Sequence, residues 1–168
     1  MGAASIPALL FIAFVVLQRL GELVLARRNT AALLARGARE IGASHYPLMV
    51  GLHTAFLVAI AWYGWQAQVA LPWLAAYAVL QGLRVWILAS LGPRWTTRII
   101  ILDEPLVVHG PYKFMAHPNY LLVVTELIVI PMVLGLMWVA LIFTILNAAM
   151  LALRISVEQR GLNEASLP

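Results

Sequence analysis

The residues best equipped for chemistry form one stretch, Gly110-Pro111-Tyr112-Lys113-Phe114-Met115-Ala116-His117-Pro118-Asn119-Tyr120. It is the longest polar and aromatic stretch with several capable side chains in a mostly apolar chain. It sits where a loop becomes a hydrophobic helix, and it reads as one wall of a cofactor pocket at a membrane surface. A second set of ionisable residues lies inside apolar runs: Arg19, Glu22, His53, Arg84, Glu126, Arg154 and, one helical turn on, Glu158. Such residues are costly in lipid and face a bundle interior or a wet cavity. With His117 they fall at a similar depth, Glu126 deepest, which suggests a polar pocket open on one side. The plainer readings are a structural Arg19–Glu22 pair, an interhelical hydrogen bond from Asn147, and a buried Glu126 carboxylate paired with an arginine at a pocket edge. Metal binding is disfavoured: His45 and His53 are eight apart, as are His109 and His117, and neither pair has the i, i+4 spacing of a helical zinc pair. No nucleophile elbow and no phosphate-cradling glycine loop occurs.

The elements that must position these residues follow from composition. The chain has 168 residues, 63% apolar and 11% charged. A soluble domain carries about a quarter charged residues, so lipid is the expected solvent of a single membrane domain, 1–168. There is no cysteine, which excludes disulfides and thiolate chemistry. Ten of the eleven basic residues are Arg, dispersed without a basic stripe interleaved with aromatics. Anionic headgroups suit such a distribution, and no nucleic-acid partner is expected. The opening residues lack a basic n-region.

Three apolar runs, Ile6 to Ala26, Leu48 to Trp65 and Leu74 to Leu91, are long enough to span a ~30 Å hydrocarbon core or nearly so. Arg27 and Arg28 are expected to end the first, followed by a short surface helix and loop. Residues 1–91 thus form a three-helix part and 92–168 the cofactor-binding part. The β-branched run Thr96 to Leu102, a turn at Asp103-Glu104-Pro105 and a return strand at Leu106-Val107-Val108 predict a small β-hairpin on the membrane face. From Tyr120 to Leu153 only Glu126 is charged, and Pro131 and Gly135 offer a break. The expectation is a tight helical hairpin, from about Pro118 to Leu134 and from about Leu136 to Ile155, followed by a polar tail. Lys and Arg count four after the first span, three after the third and two at the end of the fifth and in the tail, against none in the opposite loops. The positive-inside rule then gives an all-α integral membrane fold of five transmembrane helices, N-terminus out and C-terminus in, with the charged loops in the cytoplasm.

Gly110-Pro111-Tyr112, then His117-Pro118-Asn119-Tyr120, then Glu126, then a hydrophobic hairpin ending Arg154-Ile155-Ser156-Val157-Glu158, resembles the isoprenylcysteine carboxyl methyltransferase family. The resemblance is clearest over Thr96 to Leu162. It implies a multi-pass, inner-membrane enzyme that uses S-adenosylmethionine (SAM) and no metal. Tyr112, His117 and Arg154 then suit the SAM carboxylate, Glu158 the ammonium or ribose hydroxyls, and the Tyr120 face the sulfonium, while Pro118 starts the fourth helix. For an acceptor that must lose a proton, His53 or Glu126 could act as base and Arg84 could hold the oxyanion. The first half, from Arg19 to Arg28 and from Gly37 to Pro47, resembles a bacterial branch associated with O-methylation of alkylpyrones and phenolic lipids. This implies a lipophilic acceptor, membrane lipid as surroundings, and a polyketide synthase as supplier. Carboxyl methylation of a prenylated cysteine and N-methylation of a phospholipid are the alternatives within the class; a small transporter or channel subunit is the rival outside it. Two positions depart from the family pattern: Ala116, where an Arg or Lys is usual, and Gln159, where many members carry a second acid.

Overall fold

The computed structural model describes residues 4–165, with side chains described to residue 159. Five helices carry the fold: α1 (Ile6–Ala35), α2 (Tyr46–Gly64), α3 (Leu71–Leu91), α4 (Pro118–Val133) and α5 (Met137–Ala165). Four are long and apolar enough to cross a membrane; α4, with 16 residues, is not, so four helices rather than the expected five reach that length. At ~1.5 Å per residue α4 spans only about 24 Å.

α1 does not end at Arg27 and Arg28. Thr30-Ala31-Ala32-Leu33-Leu34-Ala35 continues it, because alanine and leucine favour helix and one face of the extension is buried at Ala26, Asn29, Thr30 and Leu33. The helix stops where Gly37 takes φ +89° and the amides of Gly37 and Ala38 donate to the carbonyls of Leu34 and Leu33. That pair of bonds is a Schellman ending, which needs a left-handed residue and therefore favours glycine. The break between α4 and α5 falls where it was expected: Gly135 is left-handed, and the amides of Leu134 and Leu136 return to the Pro131 carbonyl. The tail beyond Ser156 is helical to Ala165; the Arg160 side chain and residues 1–3 and 166–168 lie outside the described residues.

The predicted β-hairpin is not present. Among the described residues, Leu106-Val107-Val108 forms no strand. Instead β1 (Arg39–Ile41) pairs antiparallel with β2 (Ile99–Ile101), Arg39 opposite Ile101 and Ile41 opposite Ile99. The cause lies in how α1 docks. Asn29 donates to the Trp95 carbonyl at 2.7 Å and the Thr30 and Thr96 hydroxyls meet at 2.7 Å, so the chain leaving α1 is delivered beside the chain leaving α3. Glu104 is held by Arg36 and Arg94.

The two ends of the bundle differ. At one, Ser5 N–H donates to the Trp65 carbonyl and Ala70 N–H to that of Val133, tying together the uncharged ends of α1 to α4. The main core lies toward this end and includes Phe11, Ile12 and Val15 from α1, Phe56 and Ile60 from α2, Tyr77 from α3 and Ile130 and Val133 from α4. At the other end lie both strands and the arginine-bearing loops, over a smaller core of Ala26, Ile87, Trp95 and Leu122. Outward faces are apolar, with Leu17, Val58, Val79, Val85 and Ile145 all exposed, as lipid contact requires.

Candidate functional site at the charged end

The Gly110 stretch opens with a 3-10 turn, Gly110–Lys113. Gly110 has φ +61°, and a Cβ there would stand 2.1 Å from the Ser90 hydroxyl oxygen. Only glycine lets this turn lie against the end of α3. The turn buries Pro111 and half-buries Tyr112. Burial, and then the neighbouring Tyr120 and Glu158, push the Tyr112 hydroxyl up to about 12. It is therefore a neutral donor throughout the physiological range.

His117 precedes α4 with non-helical φ −128° and ψ 58°, as expected of a residue before proline, and Pro118 takes the first helical position. The His117 imidazole stacks on the Tyr120 ring, centroids 5.0 Å apart and planes 15° apart. The Tyr120 hydroxyl donates to Glu158 Oε2 at 2.7 Å, joining α4 to α5. The Arg154 guanidinium stands 5.8 Å from the centroid of the same ring. It also donates to the Thr97 carbonyl at 3.1 Å and contacts the Met49 thioether. Arg154 is buried, whereas His117, Tyr112 and Glu158 are half-exposed. Among the described residues, the His117 ring nitrogens, the Tyr112 hydroxyl and Glu158 Oε1 have no hydrogen-bond partner. Five groups, Tyr112, His117, Tyr120, Arg154 and Glu158, thus converge from two helices and a turn with spare hydrogen-bonding capacity, and Thr97 and Met49 bring in two further segments.

The remaining candidates form a separate assembly. Glu126, 1% exposed, accepts from Arg19 Nη2 at 2.6 Å, Arg84 Nε at 3.1 Å, Gln81 Nε2 at 3.3 Å and Arg84 Nη2. Glu22 accepts from Arg19, Arg84 and Gln18. Gln18 in turn donates to Gln81 and accepts from the Tyr77 hydroxyl at 2.7 Å. The two Glu126 oxygens offer about four lone-pair sites, and four donors fill them. The Arg84 guanidinium is 4% exposed and already engaged by two carboxylates. This arrangement matches the reading of Glu126 as a paired buried carboxylate, and it leaves neither residue free for the base and oxyanion roles considered from sequence. Gln18, Tyr77 and Gln81 were given no role there. Their signal was nonetheless present, because Tyr77, Gln81 and Arg84 are spaced i, i+4, i+7 and lie on one face of α3.

His53 belongs to neither assembly. It shares the inward face of α2 with Met49, Phe56 and Ile60, and its Nδ1 lies 3.0 Å from the Met49 carbonyl. No group of three or more potential ligands for a metal occurs among the described residues.

The fold and these groups define a multi-pass helical membrane protein with a polar site at one end of its bundle. The chain belongs to the isoprenylcysteine carboxyl methyltransferase (ICMT) family, whose pattern matches residues 73–164, from α3 through the Gly110 stretch to α5. It is 37% identical over 169 residues to the uncharacterized protein YpbQ of Bacillus subtilis (strain 168), a match that covers 94% of this chain and 98% of that protein. No solved structure matches. The family consists of SAM-dependent membrane methyltransferases, and this chain is accordingly a membrane methyltransferase.

Proposed function

We propose that the chain transfers a methyl group from SAM to a hydroxyl or carboxyl oxygen of a lipophilic acceptor, with an alkylpyrone or phenolic lipid as the first choice. The observation that carries this reading is the convergence of His117, Tyr120, Arg154 and Glu158 at the charged end of a bundle with apolar outer faces. The residues fit the cofactor by the chemistry of their free groups. Arg154, with N–H groups to spare, joins His117 and Tyr112 in holding a carboxylate. The open Glu158 oxygen takes an ammonium or ribose hydroxyls. The Tyr120 ring, already facing one guanidinium, is the aromatic surface for a sulfonium. Bound there, SAM supplies a methyl group activated by the positive sulfur. The chain's own part is then mostly positioning and exclusion of water, because in-line methyl transfer needs alignment above all.

The acceptor enters from the bilayer between helices. The charged loops face the cytoplasm of a bacterial inner membrane, with the N-terminus outside and a polyketide synthase supplying the acceptor. The positive-inside distribution and the β1–β2 pairing, which gathers the loops after α1 and α3, support this orientation. Carboxyl methylation of a prenylated cysteine is equally compatible with the family, so the acceptor must be read directly.

Calorimetry in detergent should give saturable binding of SAM and of its demethylated product; a flat response to both removes the reading. His117→Ala should abolish SAM binding while expression and helicity persist, and unchanged binding would refute the cofactor assignment. Membranes incubated with labelled SAM and lipid extracts should yield an aryl or enol methyl ether. A base-labile methyl ester would instead identify a carboxyl acceptor, and a methylated amine the phospholipid route.

A further inference from the structure

His53 is a titratable group on an inward helix face that none of the preceding contacts explains. A carbonyl can only accept, so the 3.0 Å contact with Met49 requires Nδ1 to carry the proton and donate it. The neutral ring then presents a bare lone pair at Nε2, and among the described residues nothing meets it. Its position is equally specific. Met49, whose carbonyl fixes the ring, also touches Arg154 through its thioether. The charges that face the imidazole are Arg19 from α1, Glu126 from α4 and Arg154 from α5; α2 itself carries no Asp, Glu, Lys or Arg. His53 therefore stands between the Tyr120–Arg154–Glu158 group and the Glu126 network.

Of the other acids nearby, the two in the network are occupied, and Glu158 has one oxygen on Tyr120 and the other assigned to the cofactor above. All of Glu126 and most of Glu22 is taken by arginines and glutamines. A carboxylate acceptor is already ionised at neutral pH and has no proton to give, so it needs no such base. A phenol or enol does. Resting on the methyl-transfer reading above, we propose that His53 Nε2 takes the proton of the acceptor hydroxyl, and that the acceptor is a phenol or enol rather than a carboxylic acid. The acceptor oxygen uses a lone pair to form the new O–C bond. The C–S bond breaks with its electrons left on sulfur, which becomes a neutral thioether. The O–H proton passes to Nε2, and the imidazolium later releases it to water.

The test uses the full chain in lipid nanodiscs and two variants. His53→Asn keeps a donor near the Met49 carbonyl and removes Nε2; His53→Gln guards against a folding defect in the first. SAM affinity and melting temperature are measured for both. The first readout needs no cofactor: an alkyl-chain nitrophenol should be more ionised when bound to wild type than when bound to either variant, seen as phenolate absorbance. Equal absorbance in all three overturns the proposal. The second compares acceptors. With a lipophilic phenol, the variants should lose ~10²–10³-fold in kcat, with KM and SAM affinity within about threefold of wild type. The wild-type pH profile should show an ionisation that the variants lack. With a lipophilic carboxylate, variants and wild type should react alike. A phenol rate retained in the variants, or an equal loss with both acceptors, refutes the role of His53. If wild type binds SAM yet methylates neither acceptor, the oxygen-acceptor reading fails instead, and the nitrophenol absorbance still decides whether His53 is a base.

Discussion

The Glu126 network and the Tyr120–Glu158 cluster use the same kinds of side chain, and they differ in how completely they are satisfied. In the first, two arginines, two glutamates, two glutamines and a tyrosine from α1, α3 and α4 consume one another's hydrogen bonds between two apolar cores. In the second, His117, Tyr112 and half of Glu158 remain unpaired among the described residues, and they border the loops. Buried polar groups must find partners within the fold, whereas the half-exposed ones of the cluster keep capacity for water or a ligand. The closed network therefore reads as a fastener of three helices, and the open cluster as a place where a ligand completes the bonding.

The sharpest way to break this contrast is to remove the centre of the network. Glu126→Ala leaves the Arg19 and Arg84 charges without that partner. It should cost about 3–5 kcal/mol, since breaking one side of a buried ion pair strands the other. Thermal unfolding in detergent should show the loss, and an unchanged melting temperature would mean that the network does not hold the helices. Glu158→Gln should do the opposite. Glutamine can still accept from Tyr120, so melting should barely move, while SAM affinity falls roughly 10- to 100-fold, the worth of a charge-assisted hydrogen bond. Calorimetry checks this, and equal affinity would dissolve the distinction between the two groups. Gly110→Ala sharpens it further: a Cβ pressed on Ser90 at a left-handed position should cost about 1–2 kcal/mol and loosen the turn that carries Tyr112. Adding Ser90→Gly should recover only the steric part in the same melting assay.

The smallest effect lies outside both groups. Hydrogen bonds from Arg94 and then Arg36 hold the Glu104 carboxyl below the usual carboxylate range. A depressed folded value means that its contribution is present above the ordinary value of about 4.3 and is lost as pH falls through the lower folded one. Wild type and Glu104→Gln should therefore differ slightly in melting temperature at neutral pH and converge in acid. A constant difference across pH would contradict the assignment.

Sequence patterns located much of this. Pro131 and Gly135 announced the α4–α5 break, and Pro118 the start of α4, because these residues constrain the backbone locally. Arg154 and Glu158 were paired with the Gly110 stretch because a tight hairpin must bring them back to it. What depth alone could not reveal was azimuth. Arg84, Glu126 and His117 lie in one half of the bundle, but helix rotation sends the first two to one assembly and the third to another. The β1–β2 pairing was illegible for a related reason. Three residues carry too little pattern to choose a partner, and the choice was made by Asn29 and Thr30 docking on Trp95 and Thr96. The added turns of α1 followed from burial of Leu33 and its neighbours, which helix propensity alone does not disclose.

That strand pair also sets an order in time. Arg39–Ile41 emerges from the ribosome before α2 and α3 exist, and its only strand partner among the described residues, Ile99–Ile101, is made after both. Until then the loop after α1 has nothing to close against. It can close only once the chain of three helices has been made, with the segment carrying Tyr112, His117 and Tyr120 the next to be synthesised.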